Sequence, residues 1–114
     1  MIRQAILALA SVCAAGAAVA DIAVQATHYL CERSVDVPVV YINADGEQGV
    51  AVLLVEGGMF NLLAEPAASG VRYGYPSDGS HYIWWAKGRG ATLFWRDGAT
   101  GVETPVYRAC MRQS

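Results

Sequence analysis

The residues that could do chemistry in this 114-residue chain are few, and their spacing excludes most of the chemistry they could do. His28 and His81 could act as a base for a serine nucleophile, but neither stands in an elbow motif or other recognisable signature. They also lack metal-ligand spacing, and the chain has no Cys-x-x-Cys. Ten Asp and Glu residues are available for a carboxylate pair, yet none is framed by apolar residues that would single it out. Gly88-Arg89-Gly90 follows no strand-to-helix unit and reads as a turn, not a phosphate loop. The chain is therefore read as a non-enzyme with no cofactor and no metal. What stands apart is Ser69 to Gly88, SGVRYGYPSDGSHYIWWAKG, where aromatic residues crowd a polar loop before a lone lysine, Lys87, set against Gly88. An ammonium on a four-carbon stem is a compact point charge with three donors, suited to entering an acceptor-lined site on another molecule.

The elements that must position this group belong to one domain, since the length allows no more. Residues 1–20 read as a cleavable export leader: a short start with Arg3, an apolar alanine-rich run, and Ala18-Val19-Ala20 as a small-x-small cleavage pattern. The run is too short and alanine-rich for a membrane span. Cys13 fits a lipid-acceptor site poorly, because Val12 stands where a small residue is wanted; lipid anchoring there is the lesser reading, and a soluble periplasmic protein beginning near Asp21 is expected. Cleavage leaves Cys31 and Cys110, which in an oxidising compartment are expected to form a disulfide. Losing Arg3 from eight basic residues against ten acidic ones moves the formal charge from −2 to −3. That balance argues against nucleic acid or an anionic membrane surface and suits a basic macromolecule.

Short apolar runs separated by turn residues predict an all-β fold, a small antiparallel barrel of about eight strands, with 21–114 as its single domain. The expected strands are 26–33, 37–43, 48–55, 58–65, 70–75, 80–87, 90–96 and 102–110. The turns fall at Asn43 to Gly46, Gly57-Gly58, Pro76 to Gly79, Gly88 to Gly90 and Asp97 to Gly101. In the run to Arg96, Ala91, Leu93 and Trp95 share one face while Thr92, Phe94 and Arg96 share the other. Val50 to Val55 is apolar on both faces, so its outer side calls for a cover, and a homodimer through this region is one expectation. Met59 to Ala68 competes as a helix on propensity, but its length and flanking glycines favour a strand.

The order Tyr29-x-Cys31, Ser69-Gly70-x-x-Tyr73, Tyr82-x-x-Trp85-x-Lys87-Gly88, Ala91-x-Leu93 and a closing Cys110 resembles the MliC/PliC family of bacterial inhibitors of c-type lysozyme. The resemblance runs from about Thr27 to Cys110. It implies an eight-stranded antiparallel barrel, c-type lysozyme as partner, and insertion of Ser69 and Lys87 into the lysozyme cleft against its catalytic carboxylates. Gly70, Tyr73, Trp85 and Gly88 would shape and support the loops. Tyr73, Tyr82 and Trp85 are expected to pack, Tyr75 and Trp84 to stand at the rim, and Arg72 and Arg89 to orient loops or touch the partner. One departure is plain: the segment 74–81 is longer than the family's connection, and beside Ser69 and Lys87 it would either add contacts or obstruct the cleft. The competing reading is an exported barrel that carries a small ligand or serves as an envelope structural subunit.

Overall fold

The structure, a computed structural model, describes residues 21–113; the expected leader, its cleavage site and Cys13 lie outside them. The chain runs up and down through β1 (Ile22–Leu30), β2 (Asp36–Ala44), β3 (Glu47–Val55), β4 (Gly58–Glu65), β5 (Val71–Gly74), β6 (His81–Lys87), β7 (Gly90–Arg96) and β8 (Glu103–Gln113). Every strand pairs antiparallel with its sequence neighbour, and β8 returns to β1 to close a barrel. The Met59 run is strand β4, paired from Gly58 to Leu63 with β3. Asp45-Gly46 (φ 53° and 77°) and Glu56-Gly57 (φ 49° and 79°) make two-residue turns with both residues left-handed, the geometry whose twist matches the flanking strands.

The first and last strands differ from expectation. β1 ends at Leu30 because Arg33 and Ser34 take positive φ (61° and 59°), which a strand cannot hold, and a single 3-10 turn occupies Glu32–Ser34. It starts earlier, at Ile22, because the run to Thr27 pairs along β2 as far as Ala44. β8 continues past Cys110 because Met111, Arg112 and Gln113 pair with Leu30, Tyr29 and His28. Among the described residues those three pairs make the closing seam, against nine between β1 and β2. The Cys31–Cys110 disulfide lies directly beside it and closes a span of 79 residues.

Inward residues follow period-two alternation: Val37, Val39 and Tyr41 on β2, Ala51, Leu53 and Val55 on β3, Leu62, Tyr73, Trp84, Ala91 and Leu93 beyond. Trp84, expected at the rim, is fully buried, because it shares the inward face with Tyr82 and Ala86 while Trp85 points outward with Lys87. Its indole Nε1–H donates to the Tyr41 hydroxyl at 2.9 Å, and the Tyr41 and Tyr29 hydroxyls bond at 2.8 Å. Tyr29 meets Trp84 edge-on, ring centroids 4.9 Å apart. Every buried polar atom in this knot is satisfied, as a low-dielectric core requires. Burial pushes the Tyr41 phenol well above its ordinary value, so it stays neutral and remains a donor.

The outer face of β4 to β8 carries charge. Arg72 on β5 donates to Glu65 at 2.6 Å and to Glu103, and Arg96 donates to Glu103 at 3.0 Å. This cluster and the β5–β6 loop cover Ile83, which is fully buried although it faces outward. The hydrogen bond from Arg72, followed by its charge and that of Arg96, holds the Glu103 carboxyl below its ordinary 4.5. The folded protein therefore gives up that proton more readily than the unfolded chain. The cluster stabilises the fold above pH 4.5, and the stabilisation is lost as pH falls through the lowered value.

Two stability measurements check this account. Replacing both Cys31 and Cys110 with serine is expected to lower unfolding free energy by about 3–5 kcal/mol in urea titrations. Glu103→Gln is expected to cost about 1–2 kcal/mol at neutral pH and to flatten the acid limb of the stability profile below pH 4.5.

Candidate functional site

Up-and-down connectivity assigns each loop to one end of the barrel. The β2–β3 turn, the β4–β5 connection at 66–70 and the β6–β7 turn Gly88-Arg89 share one end. The turn Glu56-Gly57, the β5–β6 loop at 75–80 and the β7–β8 loop at 97–102 share the other. Ser69 and Lys87 therefore meet at one end, both exposed. The long polar loop does not accompany them. Its closest tertiary ties are to the β7–β8 loop, where Gly98 N–H donates to Ser80 Oγ at 2.9 Å. Tyr75, expected as a rim aromatic, belongs to that far end, exposed and near His81.

One side chain joins the two proposed working groups. The Trp85 indole Nε1–H donates to the Ser69 carbonyl at 2.8 Å, and the Lys87 ammonium sits 4.4 Å from the centre of the same ring. Arg72 approaches that ring as well, at 5.3 Å, while its donors are held by Glu65 and Glu103. The tryptophan thus fixes the loop that carries Ser69 and gives the lysine a resting position, worth about 0.5–1 kcal/mol at an exposed site. Trp85 was expected only to support the loops. Its shared face with Lys87, two residues on, is the sequence signal for this larger role.

The glycines have distinct reasons. Gly70 has φ +65°, and a Cβ there would strike the Ala86 carbonyl oxygen and Lys87 Cγ, so only glycine lets the β4–β5 loop lie against the lysine stem. Gly88 has φ +56° with open space around it; it is the first residue of a two-residue turn closed by the Lys87–Gly90 pair. Arg89 is committed to the neighbouring strand: its guanidinium donates to the Arg112 carbonyl at 3.0 Å, and its own carbonyl accepts from the Arg112 N–H at 2.8 Å. That pins the hairpin tip beside β8.

Tyr73 is buried, so its place in the motif is structural: it packs on Tyr41 at 5.5 Å beneath the loops. Around it, an opening of about 240 Å³ at this end is lined by Tyr29, Tyr41, Gly70, Tyr73, Ala86 and Gly88 among others. Arg72 is largely covered on the outer face and acts through Trp85 and its carboxylates, not at the tip.

Charge divides between the halves of the barrel. From Asp21 to Glu65 the chain carries Asp21, Glu32, Asp36, Asp45, Glu47, Glu56 and Glu65 against Arg33 alone. From residue 66 to 113 it carries Asp78, Asp97 and Glu103 against Arg72, Lys87, Arg89, Arg96, Arg108 and Arg112. The candidate site belongs to the cationic half, and Lys87 is the only lysine in the chain. An exposed ammonium on a pinned hairpin and an exposed hydroxyl on the loop beside it, in a cationic setting, suit a partner whose own site holds carboxylates.

Residues 29–101 match the MliC family, described as membrane-bound lysozyme-inhibitor of c-type lysozyme. Among solved structures the chain is similar to Pseudomonas aeruginosa MliC, determined in complex with hen egg white lysozyme. The identity is 26%, over 83% of this chain and 87% of that one, with a TM-score of 0.62. No curated protein matches. Because the family match runs from Tyr29 to Gly101, more than half the chain, and takes in both site loops, the chain belongs to the MliC/PliC family of lysozyme inhibitors, which are not enzymes.

Proposed function

We propose that this protein is a competitive inhibitor of c-type lysozyme, exported to the periplasm, that places Lys87 and Ser69 in the enzyme's cleft. The observation that carries this reading is the Trp85 bridge: one ring holds the Ser69 carbonyl and the Lys87 ammonium at the same exposed end of the barrel. A c-type lysozyme works with two carboxyl groups flanking the scissile bond, one kept protonated by its surroundings and one ionised. An ammonium with three donors can bridge or neutralise such a pair, and a serine hydroxyl can accept from the protonated acid. Leaving the Trp85 ring costs about 0.5–1 kcal/mol. A charge-assisted hydrogen bond in the cleft returns about 1.5–3 kcal/mol, so entry is favoured.

The far-end position of 75–80 removes the obstruction that its length suggested. The acidic balance also works differently from a simple attraction to a basic enzyme. The cationic half carries the inserting groups toward an acidic cleft, while the excess carboxylates lie on the other half. The competing carrier reading lacks support inside the barrel, where Tyr29, Trp84, Leu53 and Leu93 are fully buried and fill the interior.

Inhibition assays with purified lysozyme test the proposal. Lys87→Ala is expected to weaken inhibition at least tenfold, matching the loss of about one charge-assisted bond. Tyr75→Ala, at the opposite end, is expected to stay within about twofold of wild type, the usual range for a surface change without partners. Full inhibition by Lys87→Ala would overturn the role given to the lysine. Trp85→Phe, which keeps a ring under Lys87 but loses the bond to Ser69, is expected to fall between wild type and Trp85→Leu.

A further inference from the structure

The middle of the outer face of β1 to β4 is apolar; His28, 2.7 Å from Asp36, and Glu65, held by Arg72, stand at its margins. Its cross-strand rows are Val24-Ile42-Val50-Leu63 and Ala26-Val40-Val52-Asn61. Val24 and Leu63 are 65% and 43% exposed. These four strands contain no lysine or arginine; the nearest guanidinium is Arg72 on β5, which is occupied by Glu65 at the β4 edge of the face and by Glu103. Carboxylates stand at both ends of the apolar field, all exposed: Asp36, paired with His28, and Glu56, which accepts from the Tyr82 hydroxyl, at one end; Asp45, which accepts from the Asp21 N–H, and Glu47 at the other.

We propose that this face is a docking surface for a cationic amphipathic segment, one whose apolar side lies along the strands while its basic residues reach the two acidic rims. The size fits such an occupant. Four strands at roughly 4.8 Å and about six residues at roughly 3.3 Å cover on the order of 400 Å². That is large enough to signal a contact surface. It is only about half of what one side of a stable protein dimer buries. The charge fits as well. A second copy laid face to face would set carboxylate rim against carboxylate rim, and an anionic lipid surface would be repelled by both. The rims are separated by nine residues of β2 from Asp36 to Asp45, roughly 30 Å of extended chain. An α-helix of about 20 residues has that length. The face lies on the half of the barrel that does not carry Lys87, so the proposal does not depend on inhibitor activity.

The test uses the protein as exported and a fluorescein-labelled synthetic helix of about 20 residues, leucine on one face and lysine on the other. Fluorescence anisotropy is expected to show saturable micromolar binding that weakens at least tenfold as salt rises from about 20 to about 200 mM, since exposed charges are screened on that scale. Val52→Lys should abolish it. The pair Asp36→Asn with Glu56→Gln should weaken it and reduce its salt dependence. Near-UV circular dichroism from the buried Trp84 reports that each variant is folded. The proposal is overturned by no saturable binding, by equal binding of a scrambled peptide of the same composition, or by unchanged binding in folded Val52→Lys. It is equally overturned if sedimentation shows a dimer that Val52→Lys dissociates, or if vesicles of phosphatidylcholine and phosphatidylglycerol bind instead.

Discussion

The structure depends on how the barrel is closed. An up-and-down sheet of eight strands can be built from local hairpins at every junction but one, and that one joins the first strand to the last across nearly the whole chain. Here the long-range junction is short, three residue pairs between β1 and β8, and it could not by itself offset the entropy of closing so long a loop. The Cys31–Cys110 disulfide supplies the constraint at that place. Its neighbours show why the seam matters for function. Arg112 belongs to the closing segment, and it is Arg112 that exchanges two hydrogen bonds with Arg89 at the tip of the β6–β7 hairpin. An open seam would leave that hairpin unpinned at the end where it presents Lys87.

A second layer of order comes from strand parity. Trp84 and Trp85 are adjacent, so a strand must send one inward and one outward. The inward ring joins Tyr41 and Tyr29 and completes the core; the outward ring meets Lys87, Arg72 and the Ser69 carbonyl. A slip of one residue in β6 would exchange these roles, burying the lysine and exposing the core. The core and the site are therefore specified by the same register, and glycine at position 70 lets the β4–β5 loop close against Ala86 and Lys87 in that register.

Much of this was legible in the residues. Turn chemistry such as Asp45-Gly46 located the hairpins, the spacing of turn signals gave the strand count, and Cys31 with Cys110 gave the disulfide. The exchange of Trp84 for Trp85 was legible too, since Lys87 at a strand end fixes the outward parity of Trp85. The ends of β1 and β8 were not: Arg33 and Ser34 adopt left-handed conformations with no glycine to announce them, and the closing pairs join residues some 80 positions apart in a register that no local pattern encodes. The location of the 75–80 loop needed only the alternation of an up-and-down barrel. The middle and the ends of Ser69 to Gly88 lie at opposite poles of the barrel although they are adjacent in sequence.

The charge pattern ties these observations to function. Net charge alone, −3 over residues 21–113, describes a protein that attracts basic partners without saying where. The fold resolves that value into an acidic half, β1 to β4, and a cationic half, β5 to β8. In the cationic half the arginines are mostly occupied: Arg72 and Arg96 by Glu65 and Glu103, Arg89 by the Arg112 carbonyl. Lys87 has no carboxylate within ion-pair distance among the described residues, and its ammonium rests on the face of Trp85. A quadrupole holds an ammonium weakly and without consuming its hydrogen-bond donors, whereas a neighbouring carboxylate would consume them and would have to be displaced before any partner could bind. The lack of a carboxylate within reach of Lys87 among the described residues is therefore what leaves the lysine available, and the aromatic platform keeps that lysine ordered without satisfying it.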